Sequence, residues 1–296
     1  MRLQILHRTE YRYSSPVSEN FNEVRLQPVS DEVQECVGFQ VSTTPEVPIR
    51  RYHDLHLNLV DHFYLADAHS ELAIESRSTV TTSGPRPEVA TAHFPMERLG
   101  ECQRLERCYD FLQKSEYVPL DIEIWKLARD AAEGIADAWE AARAMTRYVF
   151  RHFTYDTGAT TVQSRVGDVL RARRGVCQDF AHVLVGMCRS LRIPARYVSG
   201  YLYVGPTESL RGDLASHAWV EVYLPGFGWL ALDPTNDRPA DDHHVKVAVG
   251  RDYADAAPIR GTFKGRASQA MRVKLTISRL DTPRGSPGEG IESTGQ

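Results

Sequence analysis

Polar and apolar residues alternate at the start of the chain. In MRLQILHRTEYRYSS, the side chains of Leu3, Ile5, His7, Thr9, Tyr11 and Tyr13 share one side. This period of two is that of a half-buried strand. Short β-rich runs between turn residues follow: FNEVRLQPV, GFQVSTTP, LHLNLVDHFYL and LAIESRSTVTT. The chain to about Thr82 therefore reads as all-β. SGPRPEVATAHFP, rich in proline and small residues, reads as a linker or boundary.

The apolar period then lengthens to that of helices. ECQRLERCYDFLQKS places Leu105, Cys108, Tyr109 and Leu112 on one stripe, and DIEIWKLARDAAEG ends at a glycine suited to a C-cap. DAWEAARAMTRYVFRHF offers Asp137 as N-cap and sets Trp139, Ala142, Met145 and Val149 at helical spacing. A further helix is expected from Cys177 to about Ser190, with Val183, Leu184, Met187, Cys188 and Leu191 inward and Ile193-Pro194 ending it. ARYVSGYLYVG, HAWVEVYLPG and GWLALDPTN then read as strands, with PGFG as a hairpin turn between the last two. HHVKVAVGRDYAD and a last strand, MRVKLTISRL, are expected to close this part. Helices followed by an antiparallel sheet make an α+β arrangement. The expected division is an N-terminal β domain over residues 1–85 and an α+β domain over 98–282. The Gly/Pro/Ser-rich tail at 283–296 is expected to be disordered.

Composition narrows the partners. The chain has 296 residues and a formal net charge of -4, with no long basic or acidic block. Nucleic acid and anionic membrane are therefore not favoured partners. No window reaches the apolar length of a membrane span. The N-terminus lacks the apolar core of a secretory signal, so a cytoplasmic location is the default expectation. The five cysteines, Cys36, Cys102, Cys108, Cys177 and Cys188, include no CxxC pair. That argues against a disulfide framework and a structural zinc site, and no cofactor is expected.

One cysteine stands apart. Cys102, Cys108 and Cys188 sit in helical patterns and read as core sulfur. Cys177, in GVCQDFAHVLVGMC, follows a glycine and opens a helix, where the positive end of the helix dipole favours a thiolate. His217 opens the strand HAWVEVYL and Asp233 ends WLALDP. A tight hairpin brings these two side by side. The carboxylate can then hold one imidazole nitrogen and leave the other facing the thiol, a papain-like logic. The backbone N–H of Cys177 is a natural oxyanion donor. Other histidines read more plainly: His182 as a hydrogen-bonded helical residue, and the adjacent His243 and His244 as diverging, solvated or packed side chains. Trp219, one strand repeat after His217, either shields the imidazole–carboxylate pair or packs in the core. Asp241-Asp242 reads as a turn.

GVCQDFAHVLVGMCRSLRIPARYVSGY, SHAWVEVYLPGFGW and LDPTN together resemble the core of the transglutaminase-like superfamily. The family's Cys-His-Asp triad carries over to Cys177, His217 and Asp233. Its pattern also offers Tyr155, in FTYD, as a second oxyanion donor. NEVRLQP, the Asp54-x-His56-x-Asn58 stretch and DDHHVKVAVGRDYADAAPIRG resemble a bacterial subgroup whose core is preceded by a β-sandwich domain. The resemblance implies a papain-like, transglutaminase-like α+β core, with a Cys-bearing helix packed on an antiparallel sheet bearing His and Asp. It implies thiol-dependent cleavage or transfer of amide bonds in a peptide or amide substrate, as in a cysteine protease, amidase or transglutaminase. The alternative is a catalytically silent fold that binds proteins or peptides; loss of a triad member would be its usual sign, and all three are present. A zinc-dependent deglycosylase on the same core would need CxxC pairs, which are absent. The N-terminal part is expected to pack on the core and narrow access to it.

Overall fold

A computed structural model describes residues 1–84, 87–159, 164–205, 210 and 216–280. The expected tail at 283–296 lies outside these.

The alternating N-terminus forms one long strand, β1 (Arg2–Val24), whose inward side buries Leu3, Ile5, His7, Thr9 and Tyr13. β2 (Gln34–Thr44), β3 (Arg50–His53), β4 (Leu59–Leu65) and β5 (His69–Thr82) follow. Residues Arg2–Arg12 of β1 pair antiparallel with β5, and Asn20–Val24 pair with β4. The change of partner falls at Ser14-Ser15-Pro16, where the register slips; proline supplies no N–H to a ladder. β1 is thus shared by two halves of one sheet that fold over a common core. Tyr13, Val17, Phe63, Leu72 and Ile74 fill that core, with Phe39 and Val41 against them.

The helices come next: α1 (Glu106–Tyr109), α2 (Ile122–Ala131), α3 (Ala138–His152), α4 (Val166–Ala172) and α5 (Cys177–Ser190). Asp137 caps α3 by accepting the N–H of Glu140 at 2.9 Å. Trp139, Ala142, Met145 and Val149 are buried, as their spacing predicts. The segment read as one helix around Leu105–Leu112 is instead broken into 3₁₀ turns at Met96–Arg104 and Asp110–Leu112 around the single turn of α1. A repeat of three aligns Cys108 with Phe111, so Phe111 is buried and Tyr109, expected inward, is 62% exposed. Two-residue strands β6 (Thr154–Tyr155) and β7 (Arg174–Gly175) pair in parallel just ahead of α5. Every residue of α5 from Cys177 to Arg189 is buried. A helix enclosed on all sides is the centre of its domain.

α5 lies on a five-stranded antiparallel sheet. Its strands are β8 (Ala195–Leu202), β9 (His217–Leu224), β10 (Gly228–Asp233), β11 (Arg238–Pro239) and β12 (His244–Gly250), in the order β11-β10-β9-β8-β12. Ala218, Val220 and Val222 of β9 face the helices with Phe180, Leu184 and Met187. After α6 (Tyr253–Ala256), the chain returns to the first sheet. β13 (Ile259–Lys264) pairs with Phe21–Val24 of β1, and β14 (Gln269–Arg279) pairs with Leu3–Tyr13. The division at residue 98 assigns both strands to the second domain, whereas their backbone hydrogen bonds belong to the first. Sequence order hid this because an antiparallel partner for β1 can come from any distance along the chain.

The two parts pack against each other. Leu3, Ile5, Val80 and Leu275 meet Tyr201, Val245 and Val247 in one apolar cluster. Polar contacts flank it. Tyr201 Oη lies 2.9 Å from His7 Nδ1. The Gln34 carboxamide donates to Lys246 O at 2.8 Å and accepts Lys246 N–H at 2.7 Å. Asn58 does the same with Val249, both at 2.7 Å. Lys246 Nζ joins Asp31 to Glu221, each at 2.7 Å. Among the described residues, no helix is long and apolar enough to cross a membrane.

This shared construction predicts cooperative unfolding. Leu3→Ala, at a fully buried position of the joint, should destabilise the protein by about 2–5 kcal/mol. All four tryptophans, Trp125, Trp139, Trp219 and Trp229, lie in the second part, so their fluorescence reports that part alone. Urea transitions followed by tryptophan fluorescence and by far-UV circular dichroism should coincide and shift together in the variant. Two separated transitions would show that the parts fold independently.

Candidate active site

The Cys177 environment begins with Gly175. A Cβ there would sit 2.6 Å from the Asp179 carboxylate, so glycine leaves room for that side chain to fold back. Asp179 uses the space to accept the Val176 N–H at 2.8 Å. An acid in the first helical turn also matches the positive end of the helix. The Gly-x-Cys-x-Asp spacing thereby fixes the turn that delivers Cys177 to the first position of α5. The residue is 6% exposed.

His217 opens β9 opposite Gly200 of β8. The β9–β10 ladder ends with Leu232 opposite Val220, so Asp233 falls just beyond it, on the side of the sheet shared by His217 and Trp219. His217 Nε2 donates to Asp233 Oδ2 at 2.8 Å, with both side chains fully buried. Cys177 lies close enough to the ring to favour its charged form. Nδ1, the nitrogen not used by Asp233, is buried.

Asp233 is held by more than His217. Its Oδ1 accepts the Thr235 N–H at 2.8 Å, and its Oδ2 accepts Asn236 Nδ2 at 2.8 Å. The LDPTN motif thus carries its own clamp on the carboxylate. Burial alone would favour a neutral acid, but the His217 imidazole and then that of His244 together outweigh burial and hold Asp233 well below the usual carboxylate range. Burial would likewise discharge His217, yet the Asp233 carboxylate and then Cys177 raise its pKa to about 9. An imidazolium–carboxylate pair is therefore stable here at neutral pH.

Tyr155 stands opposite Gly175 in the β6–β7 pair, two residues from the thiol, with its ring edge-on to Phe180 at 6.1 Å. Sequence order alone leaves about twenty residues between Tyr155 and Cys177; the short parallel pair closes that distance. Trp219 stacks 6.0 Å from the His217 ring, is 2% exposed and packs with Val198 and Val249. His182 is a core histidine, as its place on the helix suggests. Its Nε2 accepts the Tyr253 N–H at 3.1 Å, its ring stacks on Tyr117, and burial lowers its pKa to about 4.

His243 and His244 diverge as expected, but to different ends. His243 Nδ1 lies 2.8 Å from the Tyr203 carbonyl. His244, read from sequence as solvated or packed, reaches Asp233 Oδ2 with its Nε2 at 3.2 Å. The expected turn at Asp241-Asp242 causes this: Asp241 binds the His243 N–H and touches His244 Nδ1, both at 3.1 Å. No spacing rule pointed to it, because β12 lies across the sheet from β10. His217, Asp233 and His244 have donor atoms within 4.8 Å of one another, the spacing of a metal site. Those atoms are already joined by hydrogen bonds, and a metal ion would have to displace both ring protons. A cavity of about 660 Å³ approaches from the His244 side, lined by Gln34 and Ser83 of the first part and by Trp219, Asp241 and His244 of the second; Cys177 is not in its lining.

Comparison with known proteins agrees with this architecture. The Transglutaminase-like superfamily profile matches residues 126–234, and the Bacterial transglutaminase-like N-terminal region matches residues 3–81. A candidate cysteine protease from Cytophaga hutchinsonii has a similar structure, with a TM-score of 0.76 at 26% identity, covering 99% of this chain and 96% of that one. An uncharacterized Mycobacterium leprae protein is 35% identical over 285 residues, 94% of this chain and 99% of its own length. A protein-glutamine gamma-glutamyltransferase from Pseudomonas aeruginosa is 31% identical over 119 residues, 36% of this chain and 18% of that protein. With a buried Cys-bearing helix on a sheet that carries His and Asp, and with both profiles matched in order, the chain belongs to the transglutaminase-like superfamily.

Proposed function

We propose that the protein is a thiol-dependent acyl-transfer enzyme that acts on amide bonds through Cys177, His217 and Asp233. The observation that carries this reading is the fully buried 2.8 Å pair of His217 and Asp233 with Cys177 at the start of α5 beside it. The Cys177 thiolate attacks the amide carbonyl carbon and forms the C–S bond. The oxyanion is received by the Cys177 backbone N–H and the Tyr155 hydroxyl. The C–N bond then breaks, and the His217 imidazolium gives its proton to the leaving amine. A thioester remains. Water or a second amine attacks it, His217 takes up the incoming proton, and the C–S bond breaks to return the thiolate. Water as acceptor makes the enzyme a protease or amidase, and an amine makes it a transglutaminase. The same residues serve both, and likeness to a candidate protease and to a glutamyltransferase supports the shared chemistry. Incubation with a candidate amide and a primary amine, read by intact-protein mass spectrometry, should give an acyl adduct on Cys177 and an exchanged or hydrolysed product. No adduct with any amide donor in active-site-intact protein would overturn the reading.

Cysteine labelling gives a substrate-free test. Burial pushes the thiols of Cys102 up to about 11 and of Cys108 and Cys188 up to about 12, and raises that of Cys36 as well. At pH 6, iodoacetamide should therefore modify Cys177 well ahead of the other four, as read by peptide mass spectrometry. His217→Ala should slow Cys177 at pH 6 and matter little at pH 9, where an unassisted thiol ionises by itself. Uniform labelling would return Cys177 to the status of core sulfur.

Asp233→Asn should fold yet lose on the order of 10⁴ in rate. An amide has one accepting oxygen for donors that now use two, and its NH₂ would face N–H groups. Turnover near wild type in this variant would show that another group orients His217.

The pH dependence of stability has a definite sign. The folded His217 pKa, about 9, lies above the ordinary value near 6.5. The contribution of its charged form is complete below pH 6.5 and is lost as pH rises through about 9. The difference in unfolding free energy between wild type and His217→Gln should narrow over that range in urea titrations. A constant difference from pH 6 to pH 10 would contradict the assignment.

A further inference from the structure

Asp233 receives two imidazoles, and the mechanism above uses only one. His244 belongs to β12, at the far side of the sheet from β10. Its side chain is 2% exposed, and its ring lies edge-on to Trp219 at 5.2 Å and stands 5.9 Å from the His217 ring.

Its protonation at one nitrogen follows from its partners. A carboxylate only accepts hydrogen bonds, so the contact with Asp233 Oδ2 requires a proton on His244 Nε2. The groups facing the ring are Asp233 from β10, His217 from β9, Asp241 from the preceding turn and, through Asp241, Arg238 from β11. Asp241 serves either charge state at Nδ1. Its backbone N–H, at 3.1 Å, can fill the lone pair of a neutral ring. Its Oδ1, also at 3.1 Å, can accept from a charged one. In both states Nε2–H stays on Asp233.

We propose that His244 is a positioning residue for the active site: its Nε2–H fixes the Asp233 carboxylate so that Oδ2 stays aligned with His217, and its ring closes the carboxylate off from the neighbouring cavity. The proposal rests on the Cys177–His217–Asp233 reading. Thr235 holds Oδ1, while Asn236 and His244 approach Oδ2 beside His217. Without His244 the carboxylate keeps one fewer anchor on the oxygen that matters. His244 and Asp241 also line the 660 Å³ cavity, so a smaller or apolar side chain would let water compete for Oδ2. A weaker Asp233–His217 pair stabilises the imidazolium less, and with it the adjacent thiolate.

Two variants separate this role from simple packing. His244→Gln can place an amide N–H near the position of Nε2. His244→Phe keeps a ring but has no donor. In the full chain, the pH dependence of Cys177 alkylation by iodoacetamide is measured by peptide mass spectrometry, with thermal melting recorded alongside. His244→Phe should slow alkylation at pH 6 roughly tenfold or more and shift the profile towards that of an unassisted thiol. His244→Gln should stay much closer to wild type. A folded His244→Phe protein with the wild-type profile overturns the proposal, as do two variants that lose melting temperature equally and leave the profile unmoved. Should the Phe variant not fold, histidine-¹⁵N spectra of the wild-type protein decide. A proton on His244 Nε2 with a downfield shift supports the proposal, and a ring protonated at Nδ1 alone overturns it. If wild-type Cys177 shows no selective labelling at all, the acyl-transfer reading itself fails, an outcome distinct from the others.

Discussion

A carboxylate with no exposed surface is the constraint around which the second part of this protein is arranged. Asp233 is ionised in the interior, a state that is costly unless every lone pair is met. Thr235 and Asn236 meet it from its own turn, His217 from the adjacent strand and His244 from the opposite side of the sheet. Each donor requires a particular strand to end or begin in register. The hairpin length, the β11 turn and the start of β12 are all fixed by this one group. Burial that would discharge an isolated histidine instead strengthens its pairing with the acid. The same exclusion of water that makes Asp233 expensive makes its effect on His217 large.

Much of this was legible in the chain. Alternation from Leu3 to Tyr13 identified β1 and its inward face, because a strand with one buried side must repeat every two residues. Helical spacing placed Trp139, Ala142, Met145 and Val149 in the core, and Asp137 at the cap, since both signals are local. Gly175, Cys177, His217 and Asp233 stood out because each sits at the end of an element, where side chains converge. What failed was nonlocal or depended on pitch. The last two strands joined β1 rather than the second part, and strand pairing over about 250 residues leaves no mark in either segment alone. Tyr109 turned outward because the chain tightened to 3₁₀ geometry, a choice set by packing. His244 looked like an ordinary polar residue on a late strand; only the sheet order brings it to Asp233.

The two parts are not a catalytic unit with an appendage. β1 is completed by strands from the C-terminal end, so the chain leaves the first sheet, builds the second and returns. The segment that carries His244 is held from the first part: Thr82 Oγ1 donates to Asp242 O at 2.6 Å, and Gln34 grips Lys246 on both sides of its backbone. The position of one imidazole on Asp233 is thereby tied to contacts that span 160 and 212 positions of sequence.

The carboxamides of Gln34 and Asn58 have a consequence beyond joining the parts. β12 is one of the two edge strands of the five-stranded sheet, and an edge strand presents unpaired N–H and C=O groups to any other chain. Each amide offers one donor and one acceptor in the geometry of a peptide group, and together they occupy Lys246 and Val249 as a sixth strand would. Two side chains thus stand in for a missing backbone. This edge of the sheet ends without exposing a template for strand addition, so the N-terminal part also guards the β12 edge against edge-to-edge pairing.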